Sequence, residues 1–143
     1  MKPKILVIED NEQNIYLVTY ILEAHGYQVF QARDGQAGIN MAAQLNPDLI
    51  LLDIQLPGLD GYGVARQLRQ NRNLDHIPIV AVTSYAMVGD RERILTAGCV
   101  GYLEKPINPD TSITGMSISL MIISGWFSRA ISRASAPLLA VTT

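Results

Sequence analysis

The chain has 143 residues, 48% of them hydrophobic and 17% charged, with a formal net charge of −2. That length fits one domain with a sizeable core, and the near-neutral balance excludes the basic field of a nucleic-acid binder, so no direct nucleic-acid contact is expected. Cys99 stands alone, which excludes a disulfide within the chain and suits a reducing compartment, and Met1-Lys2-Pro3-Lys4 before a short apolar run reads as no export signal, so a cytoplasmic location is expected.

Up to residue 110 the pattern alternates strand and helix. Ile5-Leu6-Val7-Ile8 is a continuous apolar run, as a strand covered on both faces requires. Asn11 is placed to cap the following helix and Glu12 to favour its first turn; Ile15, Val18 and Leu22 share a face, and Gly26 ends it. Tyr27 to Ala32 reads as a second strand. Asp34-Gly35 turns the chain into a helix carrying Ile39, Ala42, Ala43 and Leu45, ended by Asn46-Pro47. Leu49-Ile50-Leu51-Leu52 is a third strand that runs into Asp53, and Pro57-Gly58 and Gly61 break the chain beyond it. Tyr62 to Arg72 predicts a helix with Val64, Ala65 and Leu68 inward and three arginines outward. Ile77 to Val82 predicts a fourth strand, Met87 to Ala97 a helix ended by Gly98, and Cys99 to Leu103 a fifth strand before Lys105-Pro106. Five strands alternating with helices through short loops imply an α/β domain with parallel pairing, doubly wound.

Ligands of such sheets bind beyond the carboxyl ends of the strands. Those ends hold Glu9-Asp10, Asp53, Thr83-Ser84 and Lys105; the second strand offers nothing comparable, which suits an edge. Clustered carboxylates repel, and a hard divalent cation removes the problem. Mg²⁺ is the expected ion, with Asp10 and Asp53 as direct ligands and Glu9 acting through water. Lys105 is a point charge suited to a phosphate oxygen, and Thr83 a hydroxyl donor to the same group. Positioning and charge neutralisation are what phosphoryl transfer requires, with Asp53 the nucleophile. Taken singly, Glu9-Asp10 reads equally well as a solvated turn and cap, Thr83 as a strand end, Lys105 as a surface lysine and Tyr102 as a half-buried strand tyrosine. The conjunction at four strand ends carries the argument.

These residues form a pattern. The chain resembles the receiver domains of two-component signalling, exemplified by CheY, over about residues 4–110. The likeness rests on Glu9-Asp10, Asp53, Pro57, Gly58, Gly61, Thr83, Tyr102 and Lys105-Pro106. It implies the flavodoxin-like strand order 2-1-3-4-5, acid-pocket roles for Glu9 and Asp10, and the phosphoacceptor role for Asp53. It further implies switch roles for Thr83 and Tyr102, phosphate contact by Lys105, a cis Lys105-Pro106 peptide and a metal ligand in the backbone carbonyl of Gln55. Asp53-Ile54-Gln55-Leu56-Pro57, His76-Ile77-Pro78 and Ala86-Met87-Val88-Gly89-Asp90-Arg91 look like single-domain cell-cycle regulators of the DivK type, and also like receivers attached to hybrid histidine kinases.

The expected function is a non-enzymatic, phosphorylation-dependent switch that takes its phosphoryl group from a histidine kinase or a His-containing phosphotransfer protein and changes binding to a downstream protein target. A receiver relaying phosphate within a hybrid kinase is the alternative. A third reading is an aspartyl-phosphate phosphatase; Gln55 argues against it, standing where such enzymes carry a second carboxylate.

The composition changes near residue 111. All thirteen acids lie before it, and residues 111–143 carry only Arg129 and Arg133 with eleven serines and threonines. The chain therefore divides into a receiver core, 1–110, and an atypical C-terminal segment, 111–143. In that segment Ile113, Met116, Leu120, Ile123 and Phe127 share a helical face. A fifth helix from about Pro109 into the 120s, docked by that stripe and followed by a poorly ordered tail, is expected. An altered C-terminus is the competing reading. Membrane association is a second alternative, since Thr111 to Ser128 carries no charge, but that run is only the minimum span and is interrupted by Gly115, Gly125 and several serines, so membrane association is not expected.

Overall fold

A computed structural model describes residues 2–84, 88–105 and 129. The elements alternate as β1 (Lys4–Ile8), α1 (Glu12–Ala24), β2 (Gln28–Ala32), α2 (Gly35–Leu45), β3 (Leu49–Asp53), α3 (Gly61–Gln70), β4 (Ile79–Thr83), α4 (Val88–Thr96) and β5 (Gly101–Glu104). The strands form one parallel sheet in the order β2-β1-β3-β4-β5. The predicted fifth helix, the Lys105-Pro106 peptide and the division at residue 111 lie outside the described residues.

Strand alternation splits the core into two layers. Leu6, Ile8, Ile50, Leu52, Ile79 and Ala81 face α2, α3 and α4, whose Ala42, Val64, Ala65, Leu68 and Ile94 pack against them. Ile5, Val7, Leu49, Leu51, Val80, Val82 and Leu103 face the other way, against Val18, Ile21 and Leu22 of α1. Burial on both sides is why these strands read as unbroken apolar runs.

The caps follow their chemistry. The side chains of Asn11, Asp34 and Asp60 accept from Asn14, Ala37 and Gly63 backbone N–H groups at 3.0, 2.8 and 2.9 Å, each satisfying a donor that the first turn leaves without a helical partner. At the other end of α1, Gly26 takes φ +89°, a backbone state that costs glycine little.

Four expectations are corrected. Ala43 is exposed, and α2 meets the sheet instead through Gly38, where an added Cβ would come within 2.4 Å of Ile8 Cδ1. The helix sits closer than larger side chains would allow. Arg69 turns inward: its Nε and Nη2 donate to the Gly98 carbonyl at 3.0 and 2.8 Å, and its Nη1 to the Asp75 carbonyl at 2.7 Å. β4 begins at Ile79, because Ile77 N–H closes a turn onto Leu74 and Pro78 has no N–H to give the ladder. β5 begins at Gly101, because Cys99 N–H closes the end of α4 onto Ile94.

Cys99 is 4% exposed. Burial pushes its thiol from an ordinary 9.0 up to about 11, with the Arg69 guanidinium offsetting only part of that rise. The unfolded chain thus loses this proton first, so stability is present below about pH 9 and falls as pH rises toward 11. Native chain at pH 8 should therefore react with iodoacetamide far more slowly than urea-unfolded chain. Equal labelling rates, measured by mass spectrometry, would contradict the burial.

Candidate functional site

β1, β3, β4 and β5 end side by side, and their last residues make the rim. In the ladder Ile8 pairs with Leu52, Asp53 with Val82 and Thr83 with Glu104. This register sets Glu9, Asp53, Thr83 and Lys105 along one edge. The backbone fastens it further: Glu9 N–H donates to the Ala32 carbonyl at 3.0 Å, Ile54 N–H to Val82 at 3.0 Å and Lys105 N–H to Thr83 at 2.8 Å.

Among the described residues, Glu9, Asp53 and Thr83 are the buried polar or charged side chains. Burying carboxylates demands partners. Lys105 supplies one, its Nζ lying 3.1 Å from Asp53 Oδ2 and 3.4 Å from Glu9 Oε1. Asp53 also accepts from the Gln55 N–H at 2.9 Å. Glu9 accepts from Asn14 Nδ2 at 3.2 Å and from the Asn11 N–H at 3.3 Å. Burial and then the nearby Asp53 charge still raise the Glu9 pKa, with Lys105 and Asn14 pulling the other way.

Asp10 is exposed beside this pair. Glu9, Asp10 and Asp53 each offer a carboxylate oxygen within 4.8 Å of the others'. Hard oxygen donors at that spacing, two buried and one open to solvent, suit a small divalent cation that keeps some of its water.

Of the residues singled out from sequence, Glu9, Asp10, Asp53 and Lys105 come together. Thr83 ends β4 beside them, and Gln55 approaches through its backbone. Tyr102 stands apart, half-buried on β5, with its ring 5.6 Å from the Arg91 guanidinium carbon. Asn14 was missed. The signal existed: Asn11 as the cap places Asn14 in the first turn, where helical side chains lean back toward the N-terminus and hence toward Glu9.

The loop after Asp53 is shaped by two glycines. Gly58 has φ +73°. Gly61 starts α3 against the loop itself, so that an added Cβ would meet Ile54 Cα at 2.5 Å and the Asp53 carbonyl at 2.6 Å.

The family model of the response regulator receiver domain matches residues 5–115. The chain belongs to that family. The receiver is 44% identical over 108 residues to the polar-differentiation response regulator DivK of Brucella ovis, a match covering 76% of this chain and 88% of that one. Among solved structures, it resembles the receiver domain of a sensor histidine kinase from Pseudomonas aeruginosa, which has a magnesium ion coordinated in its active-site cleft. That match has a TM-score of 0.76 at 33% identity and covers 92% of this chain and 99% of that one. The receiver domain of a signal transduction histidine kinase from Syntrophus aciditrophicus gives a TM-score of 0.73 at 27% identity, covering 91% and 90%. Likeness to Vibrio cholerae CheY4, at 22% identity and a TM-score of 0.76, speaks for the fold.

Backbone atoms, which cannot rotate away, meet any side chain placed at Gly61. Gly61→Ala should therefore destabilise the receiver by about 1–3 kcal/mol, the usual range for overpacking. A urea midpoint unchanged from wild type would show that the loop after Asp53 yields freely.

Proposed function

We propose that this receiver is a signalling switch whose Asp53 accepts a phosphoryl group from a phosphohistidine on a histidine kinase or phosphotransfer protein. The observation that carries the reading is a buried aspartate held by Lys105, with two further acids at its side and a strand-end hydroxyl in the same rim. An Asp53 carboxylate oxygen bonds to phosphorus as the nitrogen–phosphorus bond of the donor breaks, leaving an acyl phosphate on Asp53 and imidazole on the donor.

Asp10 and Asp53, the Gln55 carbonyl and, through water, Glu9 would hold Mg²⁺; the three-carboxylate spacing fits such an ion. When bound, Mg²⁺ supplies positive charge that screens the phosphoryl oxygens from the acids. Lys105 gives a second positive charge and orients a phosphate oxygen. The Thr83 hydroxyl donates to the same group, and its movement biases the segment after β4. Tyr102 then turns inward and alters the surface around α4 and β5, which is read by a downstream protein. Glu9 and Asn14 position the pocket without touching the phosphoryl group.

A switch, rather than an enzyme acting on external substrates, is favoured by Gln55, which provides no second carboxylate for acid–base turnover. The match over 88% of DivK supports a single-domain role, and the lone buried Cys99 suits the reducing cytoplasm. The likeness to two histidine-kinase receivers keeps relay within a hybrid kinase as the second reading. Among the described residues, no helix is long and apolar enough to cross a membrane.

Acetyl phosphate with Mg²⁺ should label the wild-type chain with one acid-labile phosphoryl group, read by intact mass. Asp53→Asn, nearly isosteric, should remove the adduct while leaving the circular dichroism spectrum unchanged. A stoichiometric adduct on that variant would overturn the acceptor assignment.

A further inference from the structure

The described side chains of α4 anchor it lightly. Among its described side chains Ile94 alone is fully buried, while Leu95 is 56% exposed. By comparison, α3 buries Tyr62, Val64, Ala65 and Leu68. A helix with so small an apolar footprint is held by whatever else it touches and shifts readily when those contacts change.

Two of those contacts are aromatic. The Arg93 guanidinium carbon lies 4.0 Å from the centre of the buried Tyr62 ring, in the first turn of α3. The Arg91 guanidinium carbon lies 5.6 Å from the centre of the Tyr102 ring on β5. Residues two apart on a helix point about 200° from each other. The two arginines therefore leave α4 on opposite sides, one toward α3 and the other toward β5. Tyr62 follows Gly61 directly, and Gly61 is packed on the Asp53 backbone. One grip thus ties α4 to the segment carrying the acceptor, and the other ties it to the tyrosine placed to switch.

We propose that Arg91 and Arg93 form a two-sided cation–π latch on α4, and that Arg91 is a positioning residue that sets how easily Tyr102 turns inward. The inference rests on the phosphoacceptor reading of Asp53. The Tyr102 ring meets Arg91 in its half-buried orientation, and an inward turn gives that contact up. Whatever the contact contributes thus weights the receiver against switching. Arg93 keeps α4 registered on α3 in either orientation, because Tyr62 is fixed in the core.

Beryllofluoride with Mg²⁺ mimics the acyl phosphate and reports the balance without a partner protein. Its half-saturating concentration can be followed by the backbone amide NMR shifts of Asp53 and Gln55. Arg91→Gln should lower that concentration by about two- to fivefold, the range expected for one exposed cation–π contact. Arg91→Lys, which keeps the charge, should lie nearer wild type. In a Tyr102→Leu background Arg91→Gln should change nothing further, whereas in Tyr102→Phe, which keeps a ring, its effect should persist. An Arg91→Gln effect that is absent, equal in the Tyr102→Leu background, or matched by Arg91→Lys would overturn the latch while leaving the acceptor reading intact. A wild-type chain that does not saturate with the mimic would overturn the acceptor reading and the latch's role with it.

Discussion

Two carboxylates, Glu9 and Asp53, are buried side by side at the ends of adjacent strands, and Lys105 reaches both from the end of β5. Such an arrangement costs desolvation energy that Coulomb attraction repays only with good geometry, and removing one partner of a buried pair typically costs about 3–5 kcal/mol. The register of β1, β3, β4 and β5 supplies that geometry; Gln55 N–H takes the other Asp53 oxygen, Oδ1, and Asn14 and Asn11 join Lys105 on Glu9 Oε1. A core built for stability alone would place apolar residues there. The receiver instead keeps an acidic centre with a single lysine, and Asp10 adds a third carboxylate from the solvent side. Burial first, and then the neighbouring Asp53 charge, raises the Glu9 pKa despite the Lys105 ammonium beside it.

The same centre explains the asymmetry of the fold around it. The first turn of α1 closes on Glu9 through Asn14, and α3 is pressed onto the Asp53 loop by Gly61. These two elements are fixed to the acids. On the other side of the rim, α4 follows Thr83 with a single fully buried side chain among those described and two arginines over aromatic rings. With Asp53 as the proposed acceptor, rigidity near it and few buried contacts beside it are what a switch requires: the charge change would occur in a fixed pocket, and its consequence would be expressed where few contacts must be broken.

Much of this was legible in the sequence. Continuous apolar runs gave strands buried on both faces, and the position of Asp53 at the end of one of them put it on the rim. Sequence reasoning went wrong where tertiary contact overrides pattern. Arg69 has the periodicity of an outward residue, but the Gly98 carbonyl, distant in sequence, and the Asp75 carbonyl just beyond α3 draw it in. Ala43 was assigned to the apolar set of α2, but the close approach is made by Gly38, whose missing side chain carries no hydropathy signal. Pro78 marked the boundary of β4 rather than a place within it, because the register is decided by pairing with β3. Asn14 was legible as a first-turn residue leaning toward Glu9, but that Glu9 turns inward to meet it is set by tertiary structure.

On the proposed reading, Glu9, Asp10 and Asp53 form one cation site around Asp53 as acceptor. Calorimetric titration with Mg²⁺ decides this, with Asp34→Asn as a control, since Asp34 caps α2 outside the cluster. Saturable binding to wild type and to the control, lost in both Asp10→Asn and Asp53→Asn, is the predicted result. Undiminished Mg²⁺ affinity in Asp10→Asn and Asp53→Asn would contradict it.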